Sequence, residues 1–242
     1  MRRFFISPEL IEGATLMLRG SEAHHIIQVL RLKPGHRIEL FDGRGTVYSA
    51  VISGFEHHGV RLHLLDHRLE SNGADPQLIL GLGLLKGKKM ELVIQKATEL
   101  GVHRFVPLVT SYCEKRGRAQ SFQPPMKRWQ RIVLEACKQS RRSILMEISP
   151  LMSFSEFVHR SFSRKILFCE QRPGTVLDDI VSGASGKVAL LIGPAGGWSA
   201  EEIHDAEMAG FQCVSLGKNI LRAETAALAA VAITGFLLRG SL

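Results

Sequence analysis

The chain of 242 residues contains only four cysteines, and no two of them are close together. Cys113, Cys137, Cys169 and Cys213 lie at least 24 residues apart with no CxxC pair, which excludes both a zinc ribbon and a secreted disulfide framework. Reduced, buried thiols in a cytoplasmic protein are the expectation that remains. Long apolar runs are missing too. The longest, 226–238, is interrupted by Thr234 and Gly235 and falls short of a membrane span. The opening MRRFFISPEL reaches Pro8 and Glu9 before any apolar core of useful length, so neither a signal peptide nor a membrane partner is expected.

Two common phosphate cradles are also absent. GLGLLKGKK contains Gly81 and Gly83 but no third glycine at the dinucleotide-fingerprint spacing, and Lys88 is followed by Lys89 rather than Ser or Thr, so no P-loop is present. Those glycines are assigned to packing. Seven of the ten histidines fall in the first 70 residues, but His24-His25, His57-His58, His63 and His67 match no usual ligand spacing, so no metal site is expected.

What the sequence does have is a core and a located charge. Hydrophobic residues make up 45% against 22% charged, which excludes a disordered chain. A globule of this length, one or two domains, hides roughly 70–75% of its unfolded surface and needs no covalent staple. The net charge is +8. Residues 1–73 hold nine Lys+Arg and eight Asp+Glu, residues 74–150 hold fourteen and six, and residues 151–242 hold eight and nine. The excess therefore sits in the middle. Residues 104–142 alone carry ten basic side chains, Lys115, Arg116 and Arg118 among them, and two acids; such a cluster is either a nucleic-acid footprint or a solvated face. On a helix over 126–142, Lys127, Arg131, Lys138 and Arg142 fall within about 60° of one another, opposite Trp129, Ile132, Val133 and Ala136.

The first 70 residues read as strands 2–6, 15–19, 36–42, 46–53 and 60–69 with a short helix over 22–30, a small β-barrel. A linker over 70–76, of Ser-Asn-Gly-Ala-Asp-Pro composition, marks a domain boundary. From Gln77 strands and helices alternate, with strands expected at 78–85, 104–109, 144–148, 165–170, 187–193 and 211–217, which implies an α/β domain with a largely parallel sheet. Met90, Val93, Ile94, Ala97 and Leu100 make one helix face, closed by Gly101. Lys86, Lys88 and Lys89 sit at the start of that helix, where the macrodipole disfavours cations. Either the helix starts later or those lysines face an external anion.

Two strand ends carry the features of a ligand site. In LLIGPAGGWSAEEI a buried-type strand ends at Gly193, and Ser199 with Glu202 forms a capping box. Between them Gly193, Gly196 and Gly197 leave main-chain groups open to a ligand, although glycine loops often serve only as turns. VSLGKNILRAET repeats the arrangement, leaving a strand at Leu216-Gly217 and entering an Ala-rich helix past Arg222 and Glu224. That helix is apolar on nearly every side, as for burial against its own domain and a partner subunit. An ion pair between Arg222 and Glu224 is the structural alternative to a role in chemistry.

RRFF, LLKGKKMELVIQKATELGV, EACKQSRR, LLIGPAGGWS and VSLGKNILRAETAAL, in that order, resemble the RsmE family of 16S rRNA uridine-N3 methyltransferases from end to end. The resemblance implies a PUA-like RNA-binding β-barrel over 1–72 and, over 76–242, a SPOUT α/β domain with a deep trefoil knot that binds S-adenosyl-L-methionine and dimerises. It places the cofactor against Glu170, Gly193, Pro194, Gly196, Gly197, Leu216, Gly217, Ile220 and Leu221, and the chemistry at Arg222 and Glu224. The implied partner is 16S rRNA within the 30S subunit, gripped by Arg2, Arg3, Lys86, Lys88, Lys127, Arg131, Lys138, Arg141 and Arg142 of a cytoplasmic homodimer. Ala195, Asn219 and Ala223 depart from the family pattern, Ala195 standing where a glutamate is usual. Two other functions stay open at this point: ribose 2′-O methylation of rRNA or tRNA by the same architecture, and non-catalytic RNA binding.

Overall fold

A computed structural model of the chain describes residues 1–11, 13–57, 59–70, 76–114, 122–170 and 176–240. Linker residues 71–75 and the basic residues Lys115, Arg116 and Arg118 lie outside the described residues. The chain divides into two compact units, one made of residues 1–73 and 137–145, the other of 74–136 and 146–242. The sequence reading has the second domain run uninterrupted from residue 76. Residues 137–145 instead belong to the first unit, because Ile144 bridges Gly43 and Arg44, and Leu145 N–H donates to the Gly43 carbonyl at 3.0 Å.

In the first unit, β1 (Arg3–Phe5), β2 (Thr15–Leu18), α1 (Gly20–His24), β3 (Arg37–Phe41), β4 (Thr46–Glu56) and β5 (Gly59–Leu69) follow in chain order. Past α1 the backbone widens into a π-type turn over His25–Val29. The strands form one sheet, β1-β3-β4-β5-β2, antiparallel except for β1 on β3. Among the described residues no ladder joins the edges β1 and β2, so the expected barrel is a five-stranded sheet without hydrogen-bonded closure. Alternation along the strands turns Phe4, Leu16, Leu18, Ile38, Leu40, Ala50, Ile52, Val60 and Leu62 to one side, where Ala23 and Ile26 complete the core.

The second unit runs β6 (Gln77–Gly83), α2 (Lys88–Glu99), β7 (Arg104–Val109), α3 (Ser111–Glu114), α4 (Met126–Ser140, whose last turn lies in the first unit), β8 (Glu147–Ile148), β9 (Met152–Ser153), α5 (Phe154–Val158), β10 (Arg164–Phe168), α6 (Leu177–Val181), β11 (Lys187–Ile192), α7 (Ala200–Met208), β12 (Gln212–Val214) and α8 (Ala223–Gly240). Every strand pair is parallel, in the order β12-β10-β11-β6-β7-β8, with β9 also on β7. The strands are apolar on both faces, as burial beneath helices on both sides of a sheet requires. Gly81 serves packing as expected, since a Cβ there would meet Phe157 Cζ at 2.8 Å.

The chain passes from β11 through α7 to β12 on the far side of β10, so the winding direction reverses at β10. The carboxyl ends of β10, β11 and β12 therefore open onto one crevice, the usual ligand position in such sheets. Among the described residues no helix is long and apolar enough to cross a membrane. None of the four cysteines is in a disulfide; Cys137 and Cys169 are buried, while Cys113 and Cys213 are half-buried, short of the full burial expected of them.

Candidate active site

The loop after β11 is fixed from both of its ends. Ser199 Oγ accepts from Glu202 N at 3.1 Å and Glu202 Oε2 accepts from Ser199 N at 2.9 Å, a complete capping box at the entry to α7. The other Glu202 oxygen accepts from Ser111 N at 2.7 Å, which ties the loop to the start of α3. Trp198 Nε1 donates to the Phe168 carbonyl at 3.1 Å, so the loop is also pinned to the end of β10. Gly83, at the end of β6, permits a close approach: a Cβ there would lie 2.6 Å from Pro194 Cδ and from Pro194 N.

The loop after β12 turns at Gly217, whose φ of 116° favours glycine. Ser215 Oγ accepts from Gly217 N at 3.3 Å and donates to the Gly217 carbonyl at 3.1 Å. The chain then crosses exposed Lys218 to Ile220 and enters α8 with Glu224 in its first turn. A carboxylate is favoured at that end of a helix.

These loops enclose a cavity of about 370 Å³. Glu170, Gly193, Pro194, Gly196, Gly197, Leu216, Gly217, Ile220 and Leu221 all line it, as do Arg222 and Glu224. The two strand ends read from sequence as separate glycine-bearing loops thus meet in one site. Ala195 lines it too, which leaves Glu170 and Glu224 as the carboxylates at the wall. The sequence reading missed Phe168, Cys169, Ile192 and Trp198, apolar lining whose contribution no local pattern announces. The Cys213 thiol, on β12, is pushed up to about 12 by burial and by its neighbour Cys169.

The site also takes in a cation that stands out of place at a helix start. Lys89 lines the cavity, and its Nζ lies 2.9 Å from Glu224 Oε1. The bond from Lys89, then one from the backbone, hold the Glu224 carboxyl below the usual carboxylate range, with the charge of Arg222 acting the same way. The partner of Glu224 is therefore Lys89, not Arg222, whose side chain is exposed. The unfavourable lysines at the start of α2 are explained in part: the helix begins at Lys88, and Lys89 meets an anion supplied by α8.

The basic residues separate into two groups. Arg2, Lys86, Lys88, Lys127, Arg131 and Arg141 are exposed. Arg3 is buried: its guanidinium donates to the Arg141 carbonyl, pairs with Glu70 at 3.5 Å and lies 5.1 Å from the Phe41 ring centroid. Lys138 is also turned inward, its Nζ 2.9 Å from Glu22 Oε1 with side chains only 11% and 10% exposed. Arg142 is half-buried, and that burial lowers its pKa. Arg3 and Lys138 are thus corrected from phosphate contacts to internal ion-pair partners. On α4, Trp129, Val133 and Ala136 are buried as expected, with Trp129 edge-on to Phe105.

An RNA methyltransferase domain model matches residues 73–235, and an RNA methyltransferase PUA domain model matches residues 18–65. The ribosomal RNA small subunit methyltransferase E of Synechocystis is 35% identical over 98% of this chain and 78% of its own length. The crystal structure of a ribosomal RNA small subunit methyltransferase E from Neisseria gonorrhoeae bound to S-adenosyl methionine superposes with a TM-score of 0.85 at 33% identity, over 98% of both chains. A methyltransferase from Legionella pneumophila in complex with the same cofactor gives 0.81 at 32% identity, over 96% of both.

Proposed function

Because the chain belongs to the ribosomal RNA small subunit methyltransferase E family of RNA methyltransferases, we propose that it transfers a methyl group from S-adenosylmethionine to N3 of a uridine in 16S rRNA. The observation that carries the reading is the single cavity at the carboxyl ends of β10, β11 and β12, which gathers every residue assigned to cofactor together with Arg222 and Glu224. Its size suits a small-molecule site, which spans about 300–1,000 Å³. The residues fit the cofactor chemically. Main-chain groups of Gly193, Pro194, Gly196, Gly197 and Gly217 and the side chains of Leu216, Ile220 and Leu221 would hold it, and Glu170 offers a carboxylate to its hydroxyl or ammonium groups.

When bound, the cofactor supplies an electrophilic methyl on a sulfonium. The protein's task lies with the uracil ring, whose N3 must lose its proton as it gains the methyl. Arg222 stabilises the negative charge that develops on the ring carbonyls. Glu224 orients the imide or accepts its proton. A base within folded RNA must be turned out to reach such a site, and exposed Arg2, Lys86, Lys88, Lys127, Arg131 and Arg141 hold the phosphates while it is.

The finer architecture follows the same reading. Residues 1–72 together with 137–145 act as the RNA-binding PUA-like module, and the rest of 76–242 as the SPOUT catalytic domain. The crossing of the β11–β12 connection to the far side of β10 supports a trefoil knot. Ile233 and Phe236 of α8, 44% and 74% exposed, support a homodimer through that helix. The substrate is the 30S subunit in the cytoplasm.

Calorimetry with S-adenosylmethionine, then tritium-methyl transfer onto small subunits from cells lacking the enzyme, tests the proposal. Expected are cofactor binding and 3-methyluridine at a single mapped position. A ribose 2′-O product would overturn the assigned atom, and folded protein without cofactor affinity would overturn the enzyme. Arg222→Ala is expected to bind cofactor normally and to lose at least about 100-fold in rate; full methylation by that variant removes Arg222 from the mechanism.

A further inference from the structure

Lys89 stands where helix physics disfavours it. Lys88 and Lys89 occupy the first turn of α2, the positive end of the helix dipole, where Lys89 N and Met90 N donate to the Lys86 and Gly87 carbonyls and no side chain caps the end. A local rule broken at the wall of a ligand cavity marks a position kept for something other than stability. The compensation lies on α8, which packs against α2 and places Glu224 at its own first turn. Glu224 Oε1 accepts from Lys89 Nζ at 2.9 Å; the lysine is 46% exposed and the carboxylate only 13%. Two helix N-termini thus bring one cation and one anion together at the edge of the cavity that also exposes Arg222.

We propose that Lys89 is a positioning residue of the methyl-transfer site, its ammonium clamping Glu224 as a carboxylate so that the acid can receive the N3–H of the uracil ring in one fixed orientation. The proposal rests on the functional reading above and chooses between its two roles for Glu224. An acid held below its usual range is a poor sink for a proton from a weakly acidic imide, yet a strong hydrogen-bond acceptor. Glu224 therefore orients the ring; N3 loses its proton to solvent and uses the freed electron pair to bond the methyl carbon, whose bond to the sulfonium sulfur would break with its pair left on sulfur.

The surroundings leave Lys89 this task. Arg222 adds a second positive charge from the preceding loop, and Glu170 is the other acid lining the cavity. The carboxyl-terminal ends of β6 and β11, which also pack on α8, bear no ionisable side chain, and α6 contributes exposed Asp178 and Asp179. Lysine has three donors, of which the bond to Glu224 uses one.

The test combines transfer kinetics with a titration of Glu224. In wild-type protein, carboxyl NMR is expected to place the Glu224 midpoint below that of an ordinary glutamate, and in Lys89→Met to move it upward. Lys89→Met should lower kcat by about 10- to 100-fold, the cost of a misplaced orienting group, with cofactor affinity unchanged; the acid limb of its pH–rate profile should shift to higher pH. Lys89→Arg should restore most of the rate. In a Glu224→Gln background the Lys89→Met change should add little, because the two act as one unit. An ordinary midpoint in wild type, a wild-type rate in Lys89→Met, or a rate loss that arginine does not rescue and that adds in full to Glu224→Gln would overturn the clamp. Wild-type enzyme that binds cofactor but methylates no small-subunit RNA overturns the functional reading instead, and the midpoint still decides the clamp.

Discussion

The two compact units handle charge in opposite ways. Among the described residues five charged side chains are buried, and of these Arg3, Glu22, Glu39 and Asp42 belong to the first unit and only Glu202 to the second. The first unit stitches its short sheet with them: Arg68 donates to Glu39 and Glu70 at 3.1 Å each, Arg3 reaches Glu70, Lys138 holds Glu22, and Asp42 accepts from Arg44 N and Thr46 N at 2.8 and 3.0 Å. The second unit buries apolar strands on both faces, keeps ion pairs such as Arg104–Glu147 and Arg128–Glu91 at its surface, and sets Lys89, Glu170, Arg222 and Glu224 at the wall of one cavity. A small sheet with one apolar face has little burial to spare and specifies itself through polar pairing. A doubly covered parallel sheet has burial in surplus and frees its charges for chemistry.

The sharpest way to break this comparison is to remove one partner from an internal pair. Lys138→Met leaves Glu22 inside without a cation and should cost the protein about 3–5 kcal/mol in urea unfolding; a loss below about 1 kcal/mol would put the pair in the class of surface ion pairs. Next comes a change of one methyl in the second unit. Gly83→Ala drives a Cβ into Pro194, should cost about 1–3 kcal/mol, and should weaken S-adenosylmethionine binding by moving the loop after β11. Unchanged affinity would show that the loop's fit does not depend on β6. The smallest effect is expected at the surface. Lys127→Glu with Arg131→Glu should leave stability and cofactor binding intact while weakening RNA binding, and should flatten the salt dependence by about 0.7–0.9 for each phosphate no longer neutralised. An unaltered slope returns those residues to an ordinary solvated face.

These contrasts also mark what the sequence made legible. Strand positions in both units follow from alternation and apolar runs, which are local properties. The run 144–148 is the instructive miss. Periodicity reads it as one strand, yet Ile144 bridges Gly43 and Arg44 in the first unit while Glu147 and Ile148 pair with β7 in the second. No local pattern reveals that five consecutive residues serve two sheets. Lys138 failed for a related reason. A helical wheel places it correctly beside Lys127 and Arg131, but its partner Glu22 lies 116 residues upstream. The cavity was legible because its parts are backbone features, glycines and a capping box at strand ends, which leave local marks. Lys89 left a mark as well, as a cation in the wrong place; its meaning needed the partner from α8.

The discontinuity of the first unit bears on how the chain is made. Its sheet strands are all encoded before residue 70, but the segment 137–145 that bridges Gly43 and supplies Lys138 is translated much later. At ribosomal speeds the interval is on the order of ten seconds. Throughout it the nascent sheet carries Glu22 without its cation, so the module synthesised first reaches its final state only after a large part of the second has left the ribosome.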